Sequence, residues 1–255
     1  MVVAPFEVTR RAKLGGEPFG GEGDLMAGAM TADEARRAIY FDFEGCVGEA
    51  PSILGWSYLR DDGTEHFRQR VVERALWPAS GVTVPHTDGR QKLRRRMLDD
   101  AVRRMLELAE EGDRFLVSWA THDRKIVEEY VTNPELTERL RARYRNALKT
   151  ARPWLREVHP EIELVKDWGG AHKLAVYARI QKITIPAKYG PGIAASGIRT
   201  MRAALARHGT YANISPEDRT AWKALLGHNR LDCRVCGKVV RTAAADRHPE
   251  VLEQL

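Results

Sequence analysis

The segment RRAIYFDFE, residues 36–44, constrains the fold more than any other, because it sets two carboxylates into an otherwise apolar strand. Side chains alternate along a strand, so Ile39, Phe41 and Phe43 point one way while Tyr40, Asp42 and Glu44 point the other. Two anions on one covered face repel and lose hydration, at a cost of several kcal/mol unless cations or donors compensate. A divalent metal is one compensation. A strand with one wet face is another, and the strand alone leaves both open.

The chain of 255 residues is long enough for one sizeable domain, or one domain carrying a helical insertion. Cys46, Cys233 and Cys236 are too few and too scattered for a disulfide framework. With neither a signal peptide nor a long apolar run, a soluble cytoplasmic protein without membrane contact is expected. The 41 Lys and Arg exceed the 35 Asp and Glu, for a net charge of +6 that favours a polyanionic partner. RQKLRRR (90–96) and RLRARYRNALKTAR (139–152) concentrate that charge, each as a nucleic-acid contact or as the solvated face of a helix.

Residues 1–31 mix Gly, Pro, Glu and isolated hydrophobics without period, as a flexible leader does, and 32–255 read as a single domain. Thr31 or Asp33 caps a short turn into the acid-bearing strand at 38–44. Strands at 52–60 and 64–72 follow, joined by the tight turn DDG as a hairpin. A Pro/Gly-rich loop leads to a helix over 91–112, a buried strand over 114–120 and a helix after Thr121. Residues 134–160 predict one or two basic helices within a helical insertion around 134–210, and IELVKDW (162–168) is the candidate fifth strand. A last helix starts at Ser215-Pro216. The expected class is α/β: a mixed five-stranded sheet in the order β-β-β-α-β-α-β-α, with helices on both faces, the order of the ribonuclease H-like fold.

Three pieces carry the chemistry: YFDFEG on the first strand, LVSWATHDRKI at a strand-to-helix junction, and LLGHNRLDCRVCGKVV in the last helix. Together they resemble the DEDD superfamily of 3′–5′ exonucleases, most closely its YprB-type ribonuclease H-like branch, over roughly 36–130 and 212–245. The matching acids are Asp42, Glu44, Asp123 and Asp232. The resemblance implies a DnaQ-like hydrolase that cuts phosphodiester bonds at DNA or RNA ends with two Mg²⁺ or Mn²⁺ ions held by those four acids. It further implies a fifth residue near the last Asp that orients the attacking water. His228 stands four positions before Asp232, the spacing that the superfamily's tyrosine class uses, where its histidine class uses five. The Asn usual before the second-motif Asp is missing; Ser118, Thr121 and His122 stand near instead.

The chemistry makes sense of four acids. A phosphodiester transition state spreads negative charge over its oxygens, and paired hard cations stabilise the attacking and leaving ones. Their charge also offsets the repulsion between Asp42 and Glu44, while a neutral imidazole at His228 accepts the water's proton or orients it. Two other functions remain open: structure-specific endonuclease cleavage on the same sheet, and a catalytically idle nucleic-acid-binding module. Among lesser candidates, Asp167 is a rival metal ligand, Cys233 and Cys236 form a lone C-x-x-C that ordinary helix packing explains better than a zinc site or redox pair does, and Trp119 suits the core better than base stacking.

Overall fold

The computed structural model describes residues 28–86, 89–162, 172–189 and 192–247. Helix α1 (Ala32–Arg37) opens on a capping box in which the Thr31 hydroxyl accepts from the Glu34 N–H and the Glu34 carboxylate accepts from the Thr31 N–H. Then come β1 (Ile39–Glu44), β2 (Ile53–Leu59) and β3 (Glu65–Val71), each antiparallel to the next. The β2–β3 turn is the expected DDG: Asp62 accepts from the Thr64 N–H, and Gly63 takes the left-handed backbone (φ 78°) that glycine adopts without strain. The leader expected over 1–31 lies mostly outside the described residues, but Met30 at its end is buried, its N–H donating to Thr150.

The expected helix over 91–112 begins only at Leu98. Residues before it form a small hairpin, β4 (Thr83–His86) with β5 (Gly89–Lys92), and a two-residue strand β6 (Arg94–Arg95) that runs parallel along the open edge of β3. Leu93 is buried between exposed Lys92 and Arg94, the alternation of an edge strand. Helix α2 (Leu98–Glu111) follows, then β7 (Leu116–Ser118), α3 (His122–Tyr130) and α4 (Pro134–Arg143).

A second correction falls in the stretch expected to be helical. Tyr144–Asn146 is a strand, β8, parallel to β7; Tyr144 packs on the core, and the Asn146 side chain accepts from the Leu148 N–H to start α5 (Leu148–Val158). The strand expected over 162–168 lies almost wholly outside the described residues. Helices α6 (Leu174–Ile180), α7 (Ile193–His208) and the 32-residue α8 (Pro216–Arg247) follow.

Among the described residues the mixed sheet thus has six strands, in the order β6-β3-β2-β1-β7-β8, where five were expected. One face, bearing Phe41, Leu54 and Trp56, packs on Val102 and Met105 of α2 and on α3 and α4. The other, bearing Ile53 and Val71, packs on Trp222 and Leu225 of α8 and on α7. That second face also carries Asp42 and Glu44. No helix among the described residues is long and apolar enough to cross a membrane.

Candidate metal centre

The five proposed site residues come together where β1 and β7 end. Asp42 and Glu44 sit on β1, Asp123 in the first turn of α3 just beyond β7, and His228 and Asp232 one turn apart on α8, which crosses that face. Asp123 accepts from the Phe43 N–H at 3.1 Å, which ties the head of α3 to β1. His228 Nδ1 lies 2.9 Å from the Tyr189 carbonyl oxygen. A carbonyl only accepts, so Nδ1 donates and Nε2 is the ring nitrogen turned to the acids. Nε2 lies 3.7 Å from Glu44 and 3.6 Å from Asp232.

The electrostatics are those of crowded carboxyls whose charges oppose one another. Burial, reinforced by the charges of Glu44, Asp123 and Asp232, holds the Asp42 carboxyl well above the usual carboxylate range. Burial and then Asp232 push Glu44 up to about 8, against the hydrogen bond it shares with Asp42. Asp123 rises to about 6 by burial, moderated first by the Phe43 N–H and also by Ser118. Asp232 is raised by burial and eased by His228. A cation beside these groups would reverse every one of these shifts.

The donors fit such an ion. Glu44 Oε1 is buried without a hydrogen-bond partner, and ligand atoms of Glu44, His228 and Asp232 lie within 4.8 Å of one another. Carboxylate oxygens suit hard divalent cations such as Mg²⁺ and Mn²⁺. His228 Nε2 offers a nitrogen ligand atom beside these oxygens.

Asn229 escaped the sequence reading. It is fully buried, and its Nδ2 donates to both the backbone oxygen (3.0 Å) and a carboxylate oxygen (2.8 Å) of Asp42, while its Oδ1 accepts from Gln69 at 2.7 Å. This network fixes the orientation of the Asp42 carboxylate. It requires Gly55, which pairs with Asp42 across the ladder: a Cβ there would lie 2.1 Å from Asn229 Oδ1. A glycine in the middle of the apolar run ILGWSYL was the available signal for such a close approach. Gly55→Ala is expected to lower unfolding stability by about 1–3 kcal/mol, read from the urea midpoint, and to weaken Mn²⁺ binding by displacing Asp42.

The lesser candidates resolve into structure. Cys233 and Cys236 are buried free thiols that burial pushes up into the protonated form, as ordinary packing of α8. Trp119 donates to the His172 carbonyl and packs edge-on against Tyr177, as a core side chain does. His66 bonds Arg60 and His172 bonds Tyr177. Asp167 lies outside the described residues. No family model, curated protein or solved structure matches the chain.

Proposed function

We propose that the protein is a metal-dependent nuclease of ribonuclease H-like fold, hydrolysing phosphodiester bonds from the 3′ ends of nucleic acid. The observation that carries this reading is the convergence of Asp42, Glu44, Asp123 and Asp232, from strand β1 and helices α3 and α8, around a buried Glu44 oxygen that has no hydrogen-bond partner. The element order β1-β2-β3-α2-β7-α3 supports the fold, with the β4–β5 hairpin and β6 inserted before α2.

The four acids would hold Mg²⁺ or Mn²⁺, which when bound neutralise charge developing on the phosphoryl oxygens. Asn229 and Gln69 keep the Asp42 carboxylate aimed into the pocket. The Phe43 N–H holds Asp123, and the Tyr189 carbonyl holds the His228 ring so that Nε2 takes the proton of the attacking water. On the neighbouring stripe of α8 lies a cavity of about 410 Å³. Its walls include Phe67, Tyr189 and Leu226, and Lys223 and Arg230 join its lining, a combination that suits a nucleoside and its phosphate.

End-labelled single-stranded DNA, double-stranded DNA and RNA, incubated with Mg²⁺ or Mn²⁺, test the proposal. A ladder growing from the 3′ end, abolished by EDTA, is the expected result. A single internal cut would make the enzyme an endonuclease, and retention of intact strands would overturn the catalytic reading.

A further inference from the structure

The sheet face opposite the acid pocket carries a second charged feature. Arg68 and Arg70 of β3 share that face, Arg68 being paired across the ladder with Trp56 of β2. The edge strand β6 sets Arg94 directly beside Arg70 in register, and Arg96 follows, its N–H donating to the Val71 carbonyl. With Arg103 and Arg104 of α2 they line a cleft of about 470 Å³ whose only acids among the described residues are Asp100 and Glu107. Those two are already engaged: Asp100 pairs with Arg103 at 2.6 Å and Glu107 with Arg104 at 2.9 Å. Among the described residues, Arg68, Arg70, Arg94 and Arg96 therefore have no carboxylate partner.

Arg70 is the anomaly. It is only 5 % exposed, its guanidinium lies over the Trp56 ring at 5.2 Å, and its one fixed acceptor is the Gln69 carbonyl at 2.8 Å. A buried cation without an anion is costly, and a like-charged neighbour across the ladder adds to that cost. Burial, then Arg68, Arg94, Arg96 and Arg104, pull the Arg70 guanidinium down to about 10. The planar fork of arginine, stacked on an aromatic ring and aimed into a cleft, matches a phosphate oxyanion.

We propose that this cleft is a phosphate-binding site, separate from the acid pocket, in which Arg70 is the buried anchor and Arg68, Arg94 and Arg96 are the surrounding donors. The phosphate belongs either to the backbone of a polynucleotide reaching round the β6 edge or to a small phosphate compound. The proposal stands whether or not the acid pocket cleaves anything, because it is read from binding alone.

The test uses the full chain in EDTA. Binding of a fluorescent oligonucleotide is titrated at several salt concentrations, and inorganic phosphate is added separately while thermal melting is followed. Arg94 and Arg96 are exposed, so R94E/R96E is expected to fold, with R94A/R96A as a milder second variant. For a backbone site, R94E/R96E weakens oligonucleotide binding by roughly tenfold or more, and loss of two phosphate contacts lowers the salt slope by about 1.4–1.8. Inorganic phosphate raises the Tm of the parent and not of either variant. If oligonucleotide affinity is unchanged but the phosphate effect is lost, the site takes a small phosphate compound. If both responses survive in both variants, or if R152E/R156E on exposed positions of α5 weakens binding equally, the proposal is overturned.

Discussion

Asp42→Asn is expected to abolish cleavage and, in EDTA, to raise the thermal stability of the protein. The two effects have one cause. Asp42 is half-buried among three other acids, so without a cation its charge is opposed by Glu44, Asp123 and Asp232. An asparagine keeps the oxygen that accepts from Asn229 and removes the charge. The gain is about 1–3 kcal/mol, or roughly 3–10 °C in Tm for a chain of this length. Its pH dependence follows from the raised carboxyls. Groups whose native pKa exceeds the unfolded value bind more protons in the native state, so the contribution of these four carboxyls to the metal-free parent is fully present below about pH 4 and is lost as pH rises through their native values. Those values reach about 6 at Asp123 and about 8 at Glu44. The advantage of Asp42→Asn is therefore largest near pH 8 and fades in acid. Differential scanning calorimetry across this range checks it. A variant no more stable than the parent at the alkaline end would mean that Asp42 is a structural partner, not one of a cluster of opposed charges.

His228→Ala is expected to slow cleavage by roughly 10²–10⁴-fold, the range for loss of a general base. The ring is held by the Tyr189 carbonyl, and its Nε2 lies near both Glu44 and Asp232. A base that only takes a proton can be removed with Mn²⁺ affinity nearly unchanged. Should affinity fall in step with the rate, Nε2 is a ligand, and the trio of Glu44, His228 and Asp232 becomes the tighter metal site. Rate and affinity measured on one preparation separate these roles. Full activity in the variant would leave His228 with no part in the chemistry.

The sequence made the local periodicities legible and the pairing geometry much less so. The alternation in IYFDFE placed both acids on one face, and the i,i+4 spacing of His228 and Asp232 placed them one turn apart. Both signals are local. The missed strands are short and sit at sheet edges: Arg94–Arg95 has little apolar content of its own and is extended because β3 offers an open edge, while Tyr144–Asn146 is drawn out of a helical stretch by β7. Such pairing comes from tertiary contact, which local propensity does not encode. Asn229 was hidden for a related reason. An asparagine between His228 and Asp232 looks like any polar helix residue until Gly55, distant in the chain, removes the Cβ that would exclude it. Tyr189, likewise, reaches His228 through a backbone oxygen, which no side-chain motif reports.

Anomalous diffraction from crystals soaked in Mn²⁺ shows whether the four acids form one cation site. Density is expected within about 2.0–2.6 Å of carboxylate oxygens of Asp42 and Glu44, with Asp123 and Asp232 bordering the same pocket. A pocket empty at saturating Mn²⁺, or an Asp42 carboxylate engaged by a basic side chain instead, would contradict it.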